Sequence, residues 1–362
     1  MRIVAITRDL GADERRQRVV QHLKTIYDVV CIQPKLSLLA RTANLALSVS
    51  VRKDAWRERS KKNAFFFASM SRSIRRAVLR HPRQPDDVIL TFEALFSPGF
   101  GSSLLKPFVM YEDGTSKMTM KRWPPWVPAT ARSKRYCQLE EATYGQAAHV
   151  FTTSNWVRES LLQDYGLPAQ QVTDVGQGQD FDPPKDMCPC IGPILFVGYE
   201  WERKGGPVLL QAFQQLRIRH PDARLAIVGP NLRVAIPGVT VHGHITDKSQ
   251  LLALYRNASI FVLPSIFDPN PHAAMEAMSM GVPVVVSEGC GTQEILEIGK
   301  SGFIVPIGSA PALTDVLDRL IGDLPFRIQV GQAGAQRLQE TSSWAHAAHR
   351  IAKVINRIFP AS

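Results

Sequence analysis

The sequence predicts an α/β protein with parallel sheets in two domains, and three observations carry that prediction. Short apolar runs alternate with amphipathic stretches along almost the whole chain, the pattern of strands joined by helical crossovers. Several of those runs pass directly into Gly or Pro, at Gly198, Gly229, Gly243 and Pro264. The length of 362 residues, at roughly 150 per domain, suits two cores rather than one. An apolar content of 45% with 21% charged residues is that of a globular protein and excludes disorder or a collagen-like repeat.

Taken in order, strands are expected at 2–7, 28–33, 87–92, 107–112, 149–153 and 172–176 in the first half. A basic insertion at 36–83 interrupts the alternation there. The polar, Pro-rich stretch Asp182-Pro183-Pro184-Lys185-Asp186-Met187-Cys188-Pro189 is too rigid for a helix and reads as a hinge. The first domain is therefore placed at 1–182, a linker at 183–192 and the second domain at 193–344. The second half is more regular, with strands at 194–197, 225–228, 239–241, 260–263, 284–286 and 303–305. Amphipathic stretches near 207–219, 248–257, 272–280, 292–298 and 310–322 separate them. Two Rossmann-like domains on one linker imply a cleft, a favoured place for a ligand.

The formal net charge of +11 is unevenly placed, because residues 52–83 hold eleven Lys and Arg against Asp54 and Glu58. Within that window Phe66, Met70 and Ile74 recur every four residues, which puts them on one helix face. A basic helix with an apolar face suits an anionic bilayer, where each cation contributes about 1 kcal/mol. The alternatives are a core-facing stripe with a solvated basic back, or nucleic acid. Nucleic acid is not expected as a partner, since only net charge favours it. No apolar run approaches the ~18 residues of a membrane span. The N-terminus has neither the apolar stretch nor the cleavage site of a signal peptide. The expected location is the cytoplasm, peripheral on the inner face of the membrane if the basic segment meets lipid.

Five scattered cysteines build no disulfide framework, and Cys188-Pro189-Cys190 has no second Cys/His pair to complete a metal site of about four ligands. Asp180-Phe181-Asp182 is a lone Asp-x-Asp beside the hinge, where a divalent metal could be held, but no metal is expected to be required. Neither a Gly-x-Gly-x-x-Gly after the first strand nor a Walker A sequence is present.

The informative segment runs from Pro264 to Gly291. A strand ends at Leu263, a loop carries Asp268, and a helix starts near Pro271-His272-Ala273 with Glu276 inside it. The unpaired N–H groups and partial positive charge of a helix start suit a diphosphate. Carboxylates such as Asp268 and Glu276 accept hydrogen bonds from vicinal hydroxyls, the geometry that sugars offer.

With these residues in view, the sequence resembles the retaining glycosyltransferases of family 4, the group 1 glycosyltransferases, which have the GT-B fold. The family's Glu-x7-Glu motif corresponds to Asp268 and Glu276, set between Pro264-Ser265 and Gly281-Val282-Pro283-Val284-Val285. Asp stands in place of the first Glu, and Pro269-Asn270-Pro271 in place of Gly-Phe-Gly. Gly198-Tyr199-Glu200-Trp201-Glu202-Arg203-Lys204-Gly205 resembles the phosphate loop, with Tyr199 at its usual Arg. Val228-Gly229-Pro230-Asn231, His242-Gly243-His244 and the turn at 287–294 match further landmarks, so the resemblance covers roughly 190–345.

The resemblance implies transfer of a hexose-like sugar from a UDP- or GDP-sugar to an acceptor hydroxyl, with retention and without a tightly bound cofactor. It implies catalytic roles for Asp268, Glu276 and Lys204. Donor contacts would come from Gly198, Arg203, Lys204, Gly229, His242, Gly243, Pro271, His272, Ala273 and Glu276. Gly11, Asp113 and Thr115 are candidates on the acceptor or donor-sugar side of the first domain. A glycan or lipid-linked acceptor is expected, and the last helix, 345–362, is expected to pack back on the first domain. The alternatives are a non-catalytic membrane-associated module, or an epimerase or phosphorylase, on the same architecture.

Overall fold

The computed structural model describes residues 1–7, 14–49, 56, 60–82, 84, 86–100, 107–179 and 190–360. The chain divides into two compact units, Met1–Gly178 with Trp344–Ser362, and Gln179–Ser343. Residues 183–189 of the expected linker, and Asp180 and Asp182 just before it, lie outside the described residues.

The first unit holds β1 (Arg2–Ile6), β2 (Asp28–Ile32), β3 (Asp87–Phe92), β4 (Phe108–Glu112), β5 (His149–Thr152) and β6 (Val172–Asp174). They form one parallel sheet in the order β2-β1-β3-β4-β5-β6. Strands covered on both faces read as continuous apolar runs, which is why β1, β3, β4 and β5 are buried at every position. One face packs on Phe66, Phe67, Met70, Ile74, Tyr136 and Leu161. The other packs on Val19, Val20 and Leu23 and on Trp344, Ala348, Ile351 and Ile355 of the final helix, Trp344–Ile358. That helix repeats apolar residues three and four apart, so a single stripe is available to bury.

The helix Ala64–Arg80 corrects one sequence reading. Asn63 caps it, its Oδ1 accepting from the Phe66 N–H at 2.8 Å. Phe66, Met70 and Ile74 are buried in the sheet-facing core, so this stripe faces the protein and not a bilayer. A tight apolar fit against β1 and β3 removes more surface from water than a lipid interface would. The cations Arg72, Arg76 and Arg80 of the same helix remain exposed.

A buried acid lies at the end of β4. Glu112 Oε2 accepts from the Ala94 N–H at 2.9 Å and the Tyr144 hydroxyl at 3.1 Å. Burial, and then the charges of Asp113 and Glu140, push its pKa up to about 8. The unfolded chain releases this proton near the ordinary value of 4.5, the folded chain only near 8. The group's contribution to stability is therefore complete below about pH 4.5 and is lost as pH rises to about 8. Melting curves at pH 5 and pH 8.5 should show Glu112→Gln gaining several degrees on the wild type at the higher pH. Parallel melting temperatures at both values would remove the buried-acid account.

The second unit holds β7 (Ile194–Val197), β8 (Leu225–Val228), β9 (Val239–Gly243), β10 (Ile260–Leu263), β11 (Val284–Ser287) and β12 (Phe303–Val305). All are parallel, in the order β12-β11-β10-β7-β8-β9. Helices Gly206–Arg219, Lys248–Asn257, His272–Ser279, Ala310–Gly322 and Leu324–Thr341 complete it. The stretch expected to be helical at 292–298 is instead a short 3-10 turn, Gly291–Ile295. Gly291 N–H donates to the Asp268 carbonyl at 2.8 Å, and an added Cβ there would sit 2.2 Å from the Pro269 carbonyl oxygen.

Candidate functional site

The strand order of the second unit reverses between β7 and β10, and loops leaving the carboxyl ends of strands at such a switch point meet each other. Here they are stitched together. The Ile266 N–H donates to the Arg203 carbonyl at 2.8 Å, and Arg203 Nη1 donates to the Phe267 carbonyl at 2.7 Å. Gly205, at φ 76°, sits against the Pro264 carbonyl, where a Cβ would come within 1.8 Å of the oxygen. Only glycine allows both the left-handed backbone and that approach.

This junction gathers charge. Lys204 Nζ pairs with Asp268 Oδ2, and Arg203 Nη1 stands 3.6 Å from Asp268 Oδ1. Arg203 also donates twice to Glu200, at 3.0 and 3.1 Å. Asp268 is held from both sides by main chain, its N–H on the Gly289 carbonyl at 2.7 Å and its carbonyl accepting from Gly291 N–H at 2.8 Å. The neighbouring Cys290 thiol is pushed up to about 12 by burial and then by the Asp268 charge. Two cations and two carboxylates thus compensate each other in a largely buried cluster, as desolvated charges must.

Glycines bring the other strand ends close. A Cβ on Gly198 would lie 3.0 Å from Lys204 Cγ, and one on Gly229 only 2.5 Å from the Gly198 carbonyl oxygen. Gly229 N–H donates to the Gly243 carbonyl at 2.8 Å. Gly198, Arg203, Lys204, Gly229, Gly243 and Asp268 are therefore linked through direct contacts.

The helix His272–Ser279 begins at Pro271, which offers no side-chain cap. Pro271 is buried, while His272 and Ala273 are half-buried on the first turn. A helix start without a side-chain acceptor retains its partial positive charge for another anion. Glu276 is half-buried on the second turn and accepts from the Tyr255 hydroxyl at 2.8 Å. Tyr255 is fully buried, and burial first, then the charges of Glu276 and Tyr199, raise its hydroxyl pKa well above the ordinary value. Tyr255 was not legible as a site residue, because its place in the helix Lys248–Asn257 looks like any aromatic on an apolar face.

His242 lies on the exposed side of β9, and it is His244 whose ring meets that of Tyr199, edge to face at 4.9 Å. On the first unit, Thr115 is fully buried as the cap of the helix Ser116–Arg122, bonded to the Met118 N–H at 3.1 Å and to Ser160 Oγ at 2.7 Å. Asp113 is half-buried just after β4, and Gly11 lies outside the described residues, as does Cys188. Among the described residues no cluster of three or more His, Cys, Asp or Glu is arranged to hold a metal. No helix among them is long and apolar enough to cross a membrane.

Two Rossmann-like units, each built on a six-stranded parallel sheet, are an α/β fold shared with solved GT-B glycosyltransferase structures. Solved structures agree over the whole chain. Sucrose-phosphate synthase from Thermosynechococcus elongatus covers 100% of both chains at a TM-score of 0.76 and 20% identity. The Anabaena protein HepE in complex with UDP covers 99% of this chain and 100% of its own at 0.67 and 15%.

Residues 192–323 match the family model of the glycosyl transferases group 1. The curated relatives are glycosyltransferases too. The chain is 30% identical to D-inositol 3-phosphate glycosyltransferase of Corynebacterium aurimucosum over 44% of this chain and 42% of that one. It is 31% identical to phosphatidyl-myo-inositol mannosyltransferase of Mycobacterium leprae over 46% of each. These matches span less than half the length of either relative.

Proposed function

We propose that the chain is a retaining, family 4 glycosyltransferase that moves a hexose-type sugar from a UDP- or GDP-sugar to an acceptor hydroxyl. The observation that carries this reading is the junction of Arg203, Lys204 and Asp268 with the uncapped start of the helix His272–Ser279. In the proposed cycle, Lys204 turns from Asp268 to the diphosphate, and the helix start holds a second phosphate oxygen. The negative charge that grows on the leaving group then meets fixed positive charge, which lowers the barrier without requiring a metal. Asp268, freed from Lys204, accepts from hydroxyls of the donor sugar, and Glu276 accepts from the ribose. Gly198, Gly229 and Gly243 let main chain approach the nucleotide, and Tyr199 and His244 offer aromatic surface to its base. The leaving phosphate oxygen takes the acceptor's proton. A surface glycan or lipid-linked acceptor, reached from the cytoplasmic side, fits this role.

The test is a thermal-shift screen with UDP, GDP, ADP and their sugars, followed by donor turnover. A ligand at 100 times its dissociation constant stabilises by about 2.7 kcal/mol. UDP or GDP should raise the melting temperature by several degrees, and the matching sugar should be hydrolysed slowly without acceptor. A flat response to every nucleotide would overturn the reading.

A further inference from the structure

The helix Leu38–Leu47 of the first unit is turned inside out. Its one buried residue is Asn44, whose Nδ2 donates to the Ser60 carbonyl at 2.7 Å and whose Oδ1 accepts from Asn63 Nδ2 at 2.9 Å. A surface helix ordinarily buries its apolar residues and shows polar ones to water. Here Leu38 and Leu39 are 76% and 82% exposed, and Leu45, Leu47 and Val49 are exposed as well. At about 100° per residue, Leu38, Leu39 and Leu45 lie on the arc turned away from Asn44. The Asn44–Asn63–Ser60 network fixes that orientation, so the leucines face outward by construction.

Cations line one face of this helix toward both of its ends. A groove of about 740 Å³ joins it to the helix Ala64–Arg80 and is lined by Lys35, Arg72, Arg76 and Arg80 together with Leu39 and Phe65. Toward the other end of the same helix a smaller groove, about 310 Å³, brings Lys62, Trp126 and Arg132 to Leu47 and Val49. Trp56 donates from Nε1 to the Leu45 carbonyl at 3.4 Å and is itself part-exposed. No acidic residue occurs in the sequence from Val29 to Lys53 or from Arg59 to Pro85. Among the described residues, Lys35, Arg72, Arg76 and Arg80 have no carboxylate partner.

We propose that the helix Leu38–Leu47 and its two grooves dock the protein on an anionic lipid bilayer. Leu38, Leu39, Leu45, Leu47 and Val49 enter the headgroup–acyl boundary, and Lys35, Arg72, Arg76 and Arg80 hold lipid phosphates. The combination of outward leucines with uncompensated cations is what an interfacial helix needs. A second copy of the chain is a poor occupant, because a two-fold contact would set the same cationic grooves against each other. The lipid-facing residues are those of 38–49, not the stripe Phe66, Met70 and Ile74 that the core consumes. The proposal is independent of the transfer reading, since binding to vesicles is read without turnover.

The experiment is co-sedimentation of the full chain with phosphatidylcholine vesicles, with and without roughly one-third phosphatidylglycerol. Binding to the anionic vesicles only is the expected result, together with a loss of at least about tenfold in Leu38→Asp/Leu39→Asp and in Arg76→Glu/Arg80→Glu. The four positions are exposed, so unchanged melting temperatures serve as the folding control. Free inorganic phosphate at millimolar concentration should compete only weakly, because it lacks the apolar half of the ligand. Three results would overturn the proposal: no association with either vesicle, association that neither double variant weakens, or a dimer in sedimentation velocity that Leu38→Asp/Leu39→Asp dissolves.

Discussion

Glu276→Gln should lower transfer from the nucleotide sugar by about a hundredfold or more in a protein that melts as the wild type does. A carboxylate accepts from two vicinal hydroxyls at once, whereas an amide turns one of its two positions into a donor. Hydrogen bonds to a charged group contribute about 1.5–3 kcal/mol each, so the loss of one and the weakening of the other accounts for that factor. Glutamine is the informative replacement because the Tyr255 hydroxyl, 2.8 Å from Glu276, keeps an oxygen acceptor. Glu276→Ala would strand that buried hydroxyl and cost about 1–3 kcal/mol of stability, confusing folding with function. Steady-state kinetics with the donor identified by the nucleotide screen, beside a melting curve, separate the two. Near-normal turnover by folded Glu276→Gln would take Glu276 out of the site.

Lys204→Ala should weaken UDP or GDP binding by about 10- to 100-fold in calorimetry, the range expected for a lost charge-assisted hydrogen bond. Among the described residues, the same change leaves Asp268 with Arg203, at 3.6 Å, as its cation partner within a largely buried site. Removing one member of a buried pair destabilises by about 3–5 kcal/mol when nothing replaces it, and Arg203 should reduce that toward about 2 kcal/mol. The double variant Lys204→Ala/Asp268→Asn removes both charges. It should recover most of the lost stability without recovering nucleotide affinity, a non-additive cycle that assigns Lys204 to the phosphate. Additive stabilities, or unchanged affinity in the single variant, would make the pair purely structural.

Most of the architecture was legible because its signal is local. The runs Ile194–Val197, Leu225–Val228 and Ile260–Leu263 are apolar at every position, as parallel strands covered on both faces must be, and each is a strand. Gly229 was legible as a strand-end residue for the same reason, since only glycine takes its backbone angles beside a neighbouring carbonyl. The helix-start motif from Pro264 to Glu276 was equally readable, because capping and spacing are properties of consecutive residues.

What failed to show was decided by partners distant in sequence. The stripe Phe66-Met70-Ile74 is the same stripe whether lipid or a sheet covers it, and the choice was made by β1 and β3. The helix Leu38–Leu47 went unread within the basic insertion at 36–83, and its leucines turn outward because Asn63, nineteen residues away, claims Asn44. Tyr255 acquired meaning only through Glu276, and His244 through its ring contact with Tyr199.

The sequence by itself determined the alternation of strands and helices, the glycine positions and the acid spacing of Asp268 and Glu276, since these follow from backbone sterics and side-chain period. Only the tertiary structure decided that Lys204 and Arg203 share Asp268, that Tyr255 supports Glu276, and which apolar face is left to the outside. The physical reason is that charge pairing and burial depend on distances in space, which chain order alone does not set.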